Sequence, residues 1–156
     1  LGQIGVFNRS HYEDVTAARV RKEVGKAELQ TRFEEINRFE GELLEGGTQL
    51  VKVFLHISKQ EQEKRLRERI LRPEKRWKFS KNDLRERARW QPNLDAYEEA
   101  LARTSVAAPW YVVPADRKWY RDWAVATLLI EQLEAMSPQY PEVELDQEAL
   151  LKRLAA

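Results

Sequence analysis

Three short apolar runs divide the chain, at residues 4–7, 49–57 and 110–113. Each is too short for a helix and is rich in aliphatic, β-branched or aromatic residues, which is typical of strands buried on both faces. Amphipathic stretches lie between the runs. Because strands that alternate with helices form parallel sheets with right-handed crossovers, the pattern predicts an α/β fold with three parallel strands.

The helical stretches are defined by apolar positions three and four residues apart and by their caps. Residues 27–45 place Glu40 and other charged residues on the solvent side, and Gly46-Gly47 ends this helix. Ser58 and Ser80 are each followed three positions later by Glu61 and Asp83, which predicts a capping box at the start of two helices. Further helices are predicted for residues 59–71, 81–90, 94–104 and 118–136, with a helix or irregular loop at 15–24.

Two prolines and one apolar face complete this pattern. Pro73 is expected to interrupt the helix that starts after Ser58, and Pro92 to separate the next two helices. The last long helix is expected to bury its apolar side chains, namely Trp119, Trp123, Val125, Leu128, Leu129 and Leu133.

The length of 156 residues and the hydrophobic fraction of 42% are sufficient for one domain with a sizeable core. We predict a domain at residues 1–136 and a tail at 137–156 that carries Pro138, Pro141 and a short helix at 145–154. The chain opens on Leu1, almost directly before an apparent core strand, and three strands are few for such a sheet. We therefore expect a piece of a longer chain that lacks amino-terminal strands.

Composition excludes several kinds of chemistry. Lys+Arg 27 and Asp+Glu 26 nearly cancel, so an anion site requires local clustering of cations. The absence of cysteine excludes disulfides, thiolate ligands and a cysteine nucleophile, and two histidines leave little scope for a histidine-rich metal site. No apolar run approaches the roughly 20 residues that cross a bilayer, and no leader pattern is present, so we expect a cytoplasmic protein without a membrane partner.

A polar cluster follows the first apolar run, where the carboxyl end of a strand would place functional groups. Its candidate site residues are Asn8, Arg9, Glu13 and Asp14. The alternative is a capped turn between strand and helix, with Asn8 or Ser10 as the cap and the charges in solvent.

Residues 65–78 concentrate cations around Pro73. They are compatible with a surface helix of i,i+4 salt bridges to Glu61, Glu63 and Glu68. The alternative is a mobile helical hairpin that closes over phosphates, with arginines as bidentate donors and lysines as point charges. Trp77 and Phe79 would stack on a nucleotide base or anchor the hairpin.

Four segments resemble the family-2 polyphosphate kinases: FNRSHYEDV at 7–15, FLHISK at 54–59, RPEKRWKFS at 72–80 and APWYVVPADRKW at 108–119. The resemblance covers about residues 5–136. It implies a P-loop kinase-type fold similar to thymidylate kinase, with a lid at about 65–90. It also implies Mg²⁺-dependent phosphoryl transfer between inorganic polyphosphate and adenine or guanine nucleotides, either the phosphorylation of AMP or ADP or the reverse reaction. The resemblance further implies a homo-oligomer (dimer or tetramer) that does not bind nucleic acid.

The same resemblance assigns roles to individual residues. The opening cluster matches the Walker B region, and Arg9 matches the family's catalytic arginine. Asn8 stands where many members carry a metal-binding aspartate. The resemblance therefore implies that Glu13 or Asp14 binds the metal ion through water instead. The residues assigned to phosphate or polyphosphate are Arg19, Arg65, Arg69, Lys75 and Lys78. His56 is interpreted as a hydrogen-bonded structural residue and Asp116 as a cap of the last helix.

One family feature is absent from the printed sequence. A P-loop kinase needs a glycine-rich loop that runs from a strand to a helix and ends in Lys and Ser/Thr. None of the six glycines is arranged in this way, and Gly46-Gly47 leads from a helix to a strand. We therefore expect the loop upstream of Asn8 and expect this chain alone to be inactive. The alternatives are a non-catalytic polyanion-binding module that uses residues 65–89, or a structural fragment whose sheet edge another chain covers.

Overall fold

A computed structural model describes residues 2–155. Leu1, the first residue of the predicted domain, and Ala156, the last residue of the predicted tail, lie outside the described residues. The first regular element is a short 3-10 helix at His11–Asp14, and a second 3-10 helix occupies Pro73–Lys78. The other elements are α1 (Ala17–Arg21), α2 (Lys26–Glu45), β1 (Lys52–His56), α3 (Lys59–Leu71), α4 (Lys81–Ala88), α5 (Trp90–Arg103), β2 (Trp110–Pro114), α6 (Lys118–Met136) and α7 (Gln147–Leu154).

The two strands form a parallel sheet in which Lys52 pairs with Trp110 and His56 with Pro114. Of the three predicted strands, the one at residues 4–7 is not formed, so this prediction is wrong. This segment is irregular, and its large side chains, including Phe7 at 79% exposure, lie in solvent. A strand is stable only when a neighbouring segment pairs with its backbone groups, and no segment within residues 2–155 does so here.

The core lies between α2, α5 and the first 3-10 helix. Val15, Leu29, Phe33, Ile36 and Ala100 are buried together, and the side chain of Trp110 packs against them. The predicted apolar stripe of α2 therefore faces the core. Trp110, the first residue of β2, contacts this core, whereas His56 and Pro114, the last residues of the two strands, are exposed.

Most helix boundaries agree with the sequence pattern. The α2 helix ends in a Schellman arrangement, in which the Thr48 amide donates to the Leu43 carbonyl and Gly47 takes a φ of 82°, which favours glycine. The separation expected at Pro92 is wrong. Pro92 lies in the first turn of α5, where a missing amide hydrogen removes no intrahelical bond.

The expected burial of α6 is also wrong for the described part of the chain. Trp119, Trp123, Leu129 and Leu133 are exposed, Val125 and Leu128 are half-buried, and α6 packs mainly on β2. Too little of the chain packs around this helix to cover its apolar side chains. No helix within residues 2–155 combines the length and apolar character needed to cross a bilayer.

Candidate functional site at the carboxyl ends of the strands

The loops that follow β1 and β2 are joined by hydrogen bonds. The Ala115 amide donates to the His56 carbonyl at 2.7 Å, and the Ser58 amide donates to Asp116 Oδ1 at 2.7 Å. The bond from Ser58 is the main reason that the pKa of Asp116 lies below its usual value. Asp116 thus binds the start of α3, and its predicted role as a cap of the last helix is wrong.

Only half of the predicted capping box at Ser58 forms. The Ser58 hydroxyl accepts from the Glu61 amide at 3.0 Å, as expected. The Glu61 carboxylate, however, accepts from Arg65 Nε at 2.9 Å, because the Ser58 amide is already bound to Asp116. The cap is therefore shared between two loops that lie far apart in the sequence.

Arg65 fastens α3 to the end of β2. Its Nη2 atom donates to the carbonyl oxygens of Ala115 at 2.7 Å and Asp116 at 3.3 Å. With Nε on Glu61, most of this guanidinium is engaged in holding the base of α3 beside the carboxyl ends of the strands. Arg65 is thus next to the candidate site, in a supporting position.

The α3 and α4 helices lie side by side in opposite directions, and we refer to residues 59–88 as the helical hairpin. Near the start of α3, Arg87 donates to the Lys59 carbonyl at 2.8 Å, to Gln62 at 3.1 Å and to Glu63 at 2.9 Å. At the other end, Arg69 Nη1 donates to Asp83 Oδ2 at 3.2 Å. The predicted capping box of Ser80 and Asp83 starts α4.

Several cations of the helical hairpin pair with nearby carboxylates, as the salt-bridge interpretation expected. Lys75 donates to Glu68 at 2.8 Å and lowers the pKa of that carboxyl. Arg67 lies 3.3 Å from Glu63. Six cations of the helical hairpin form no ion pair with a carboxylate of residues 2–155: Lys59, Arg72, Arg76, Lys78, Lys81 and Arg85.

The two aromatic residues of the helical hairpin differ in their surroundings. Trp77 is 79% exposed and does not anchor the hairpin, and Lys78 Nζ lies 4.9 Å from the centre of its ring. Phe79 is half-buried. An exposed aromatic face beside a cation is compatible with stacking on a base.

The opening cluster is exposed. Arg9 Nε lies 3.4 Å from Glu13 Oε1, and the Arg9 side chain is 83% accessible. Asp14 is held by its backbone carbonyl, which accepts from Arg32 Nη1 at 2.9 Å. Ser10 precedes the 3-10 helix, but its side chain makes no capping bond, so the predicted side-chain cap is not formed by Ser10.

Three other candidate residues have clear surroundings. Arg19 forms an ion pair with Glu99 and so connects α1 to α5. His56 is exposed, and its ring makes no side-chain hydrogen bond within residues 2–155, so the expected hydrogen bond is wrong. No group of three or more His, Cys, Asp or Glu side chains in that range is arranged to hold a metal ion.

The sequence interpretation missed a buried charged network. Glu40 and Lys52 are 1% and 7% exposed, and Lys52 Nζ donates to Glu40 Oε2 at 2.7 Å. Tyr12 donates its hydroxyl to Glu40 Oε1, and His11 Nε2 lies 3.4 Å from the same oxygen. Lys52 also donates to the Thr104 carbonyl and, at 3.2 Å, to the Tyr12 hydroxyl.

The network explains the charge states of its members. Burial alone would raise the pKa of Glu40, but hydrogen bonds from His11, Lys52 and Tyr12 outweigh it, and the pKa lies below its usual value. Burial, followed by the bond to Glu40, raises the pKa of Tyr12. The placement of Glu40 on the solvent side of α2 is therefore wrong. Its spacing from Phe33 and Ile36 continues the buried stripe, and this signal was available in the sequence.

Comparison with known proteins confirms the fold class and the family. The chain belongs to the polyphosphate kinase 2 (PPK2) family, whose model matches residues 1–141. Its structure superposes on that of polyphosphate kinase 2 from Arthrobacter aurescens TC1 with a TM-score of 0.94, at 46% identity over 99% of this chain and 55% of that protein. The fold is accordingly of the P-loop kinase type.

Two curated relatives carry names that state an activity. An AMP/ADP-polyphosphate phosphotransferase of Meiothermus ruber is 48% identical over 151 residues, which is 96% of this chain and 57% of the relative. An ADP-polyphosphate phosphotransferase of Rhodopseudomonas palustris is 44% identical, over 90% of this chain and 53% of the relative. The chain thus spans about half the length of these relatives.

Proposed function

We propose that the full protein containing this chain transfers phosphoryl groups between inorganic polyphosphate and adenine or guanine nucleotides in the cytoplasm. The observation that carries this proposal is the match to the polyphosphate kinase 2 family over residues 1–141. The names of the relatives from Meiothermus ruber and Rhodopseudomonas palustris support AMP and ADP as nucleotide substrates. The chemistry requires positioned cations and little else, because phosphoryl transfer depends mainly on orientation and charge neutralisation.

Arg9 is the proposed catalytic arginine. Its guanidinium is exposed, and its only ion pair within residues 2–155 is the accessible one with Glu13. A phosphoryl group can therefore replace Glu13 as the partner of this side chain. The planar fork of arginine then binds two phosphate oxygens and stabilises the charge that develops in the transition state.

The helical hairpin is the proposed polyphosphate-binding lid. Its unpaired cations supply charge on an accessible surface, while Arg65 holds its base at the carboxyl ends of the strands. Arg69 and Lys75 are engaged with Asp83 and Glu68, so they contribute when phosphate displaces those carboxylates. A closed lid would also exclude water from the reacting phosphates.

Mg²⁺ is the proposed cofactor. Asn8, Glu13 and Asp14 offer oxygen donors, the type that Mg²⁺ prefers, and one or two protein carboxylates suffice when substrate phosphates and water complete the shell. Glu13 and Asp14 would hold the ion, which neutralises phosphate charge when bound. Because Glu13 also pairs with Arg9, binding of Mg²⁺ to Glu13 would free the Arg9 guanidinium from its ion pair.

The test is ATP formation from ADP, and ADP formation from AMP, with long-chain polyphosphate and Mg²⁺. We compare the wild-type full protein with Arg9→Ala and with Arg38→Ala. Arg38 is a matched control, since it is an exposed arginine in an i,i+4 pair with Glu42 on α2, remote in sequence from the proposed site. We expect a loss of about 10³-fold in kcat for Arg9→Ala, the magnitude typical of a charge-stabilising arginine in phosphoryl transfer. We expect no change for Arg38→Ala.

The unpaired cations of the helical hairpin also favour a second function, the binding of a polyanion without turnover. Polyphosphate binding that weakens steeply with salt, in a wild-type protein that transfers no phosphate to AMP or ADP, would establish this second function. The same result would contradict the kinase proposal.

A further inference from the structure

The buried network of Tyr12, Glu40 and Lys52 connects the opening cluster to the core. Lys52 lies on β1, Glu40 on α2 and Tyr12 in the first 3-10 helix. The carboxylate of Glu40 receives one hydrogen bond from Tyr12 through Oε1 and one from Lys52 through Oε2. The 3-10 helix is thereby tied to two elements that are distant in the sequence.

The ring of Tyr12 is fixed as firmly as its hydroxyl. It lies edge-on to Trp110, with ring centres 4.7 Å apart, and Tyr12 is buried. Trp110 Nε1 in turn donates to Thr104 Oγ1 at 3.0 Å, and the Thr104 carbonyl accepts from Lys52. These contacts form a closed set in which a shift of any one side chain disturbs the others.

Arg9 depends on this helix for its position. It lies three residues before Tyr12, and its ion-pair partner is Glu13, the residue that directly follows Tyr12. With the Arg9 side chain 83% accessible, packing contributes little to its placement. The placement of the Arg9 backbone and of its partner Glu13 therefore depends on how the 3-10 helix is held.

Stability alone does not explain a buried ion pair at this point. The desolvation of two charges offsets most of their attraction, and a well-packed apolar pair of similar size is often equally stable or more stable. A carboxylate with a fixed direction, however, can accept from Tyr12 and Lys52 at once, which an apolar side chain cannot do. The pair thus supplies orientation.

We propose that Tyr12 and Glu40 are positioning residues for Arg9, holding the 3-10 helix so that the Arg9 guanidinium meets the transferring phosphoryl group. The proposal rests on the proposed function. Neither residue touches substrate. Loss of the Tyr12 hydroxyl therefore reduces kcat and leaves KM for nucleotide and polyphosphate nearly unchanged.

The first test is a double-mutant cycle in the full protein with Tyr12→Phe and Arg9→Lys. Tyr12→Phe keeps the ring and its contact with Trp110. It should lower kcat about tenfold, within the range that a displacement of about 1 Å produces, with KM changed by less than about twofold. In the Arg9→Lys background, whose shorter and differently shaped cation has already lost the bidentate geometry, Tyr12→Phe should lower kcat by less than about twofold.

The second test replaces the ion pair with apolar residues, in the variant Glu40→Leu/Lys52→Met. The variant removes the acceptor of the buried Tyr12 hydroxyl and the donor to the Thr104 carbonyl, so its unfolding midpoint in denaturant should lie somewhat below that of wild type. Its kcat should fall at least as far as that of Tyr12→Phe while the protein remains folded. The matched control is Glu148→Leu/Lys152→Met on α7, where the same residue types form an exposed pair at 2.6 Å. This control should retain wild-type kcat.

The outcomes separate the two proposals. A wild-type protein that transfers no phosphate contradicts the proposed function. Wild-type transfer together with an unchanged kcat for Tyr12→Phe, or with the same loss whether or not Arg9→Lys is present, overturns the positioning role alone. If Glu40→Leu/Lys52→Met unfolds, the cycle with Tyr12→Phe still decides the question.

Discussion

At the scale of single residues, the charged groups of this chain fall into two kinds. Some, such as Arg9 and Arg72, lie in solvent, where an ion pair contributes about 0–1 kcal/mol. Glu40 and Lys52 are almost fully buried and bind each other directly. Removing one partner of such a pair leaves an uncompensated buried charge, which costs about 3–5 kcal/mol. Residue composition alone does not distinguish these exposed charges from the buried ones.

The lowered pKa of Glu40 predicts a pH dependence of stability. A carboxyl whose pKa is lower in the folded state stabilises the fold above its unfolded pKa, and this contribution disappears as the pH falls through the folded pKa. The free energy of unfolding of the full protein should therefore decrease in acid more steeply than that of Glu40→Leu/Lys52→Met. Urea titrations at a series of pH values from 7 downward measure the difference.

The other carboxylates are present in both proteins, so their contribution cancels in this comparison. Parallel stability curves would show that Glu40 binds protons with the same affinity in the folded and unfolded states. That result would contradict the geometry of its bonds to Tyr12 and Lys52.

At the scale of elements, two arginines hold the helical hairpin near the start of α3, each in a different way. Arg65 attaches α3 to the loop after β2, and Arg87 attaches the end of α4 to the start of α3. Arg87 makes three hydrogen bonds there, whereas Arg67 makes a single one, to the same Glu63 carboxylate. The two arginines thus share a partner and differ in what they connect.

This difference predicts that Arg87→Ala loosens α4. Amide hydrogen exchange of residues 81–88 should become about tenfold faster, since the loss of about 1.4 kcal/mol from a local opening equilibrium changes it by that factor. The control Arg67→Ala should leave exchange in α4 unchanged. Equal exchange in both variants would mean that other contacts hold the helical hairpin together.

At the scale of the whole molecule, residues 2–155 expose an unusual amount of apolar surface. Trp119, Trp123 and Ile130 on α6, and Val112 on β2, are more than half exposed. Large exposed apolar side chains of this kind are typical of surfaces that bind another protein surface. This chain alone is therefore expected to associate with itself.

Sedimentation velocity of the isolated chain tests this expectation. We expect species larger than the 18.4 kDa monomer, and their proportion should rise with protein concentration. Replacing Trp123, at the exposed surface of α6, by Gln should reduce the association, whereas Glu131→Gln, an exposed polar change on the same helix, should not. A monodisperse monomer for the unmodified chain would contradict the expectation.

Helix positions were largely predictable because the signals that define them are local. The sequence placed α3 and α6 at the boundaries that the structure shows, and Gly47 marked the end of α2. Apolar spacing, capping serines and glycines act within a few residues of the chain, so no knowledge of distant segments is required.

Pairing and burial depended on distant segments and were predicted less well. Residues 4–7 have the composition of a strand, but composition does not supply the neighbour that satisfies the backbone groups. Glu40 is charged, yet Lys52, twelve positions later, and Tyr12, from the opening segment, make its burial possible. A charge is buried only where its partners converge, and this depends on packing.

By itself, then, the sequence determined the helices, the two paired apolar runs and the family, since these depend on local periodicity and on contiguous motifs. Only the tertiary structure decided which charged side chains bind other parts of the fold and which remain exposed to solvent. Arg65 and Asp116 are bound by loops that lie about 50 residues away, whereas Arg72 and Lys78 remain in solvent. The physical reason is that a charged side chain acquires its partner through three-dimensional proximity, which the spacing of residues along the chain does not specify.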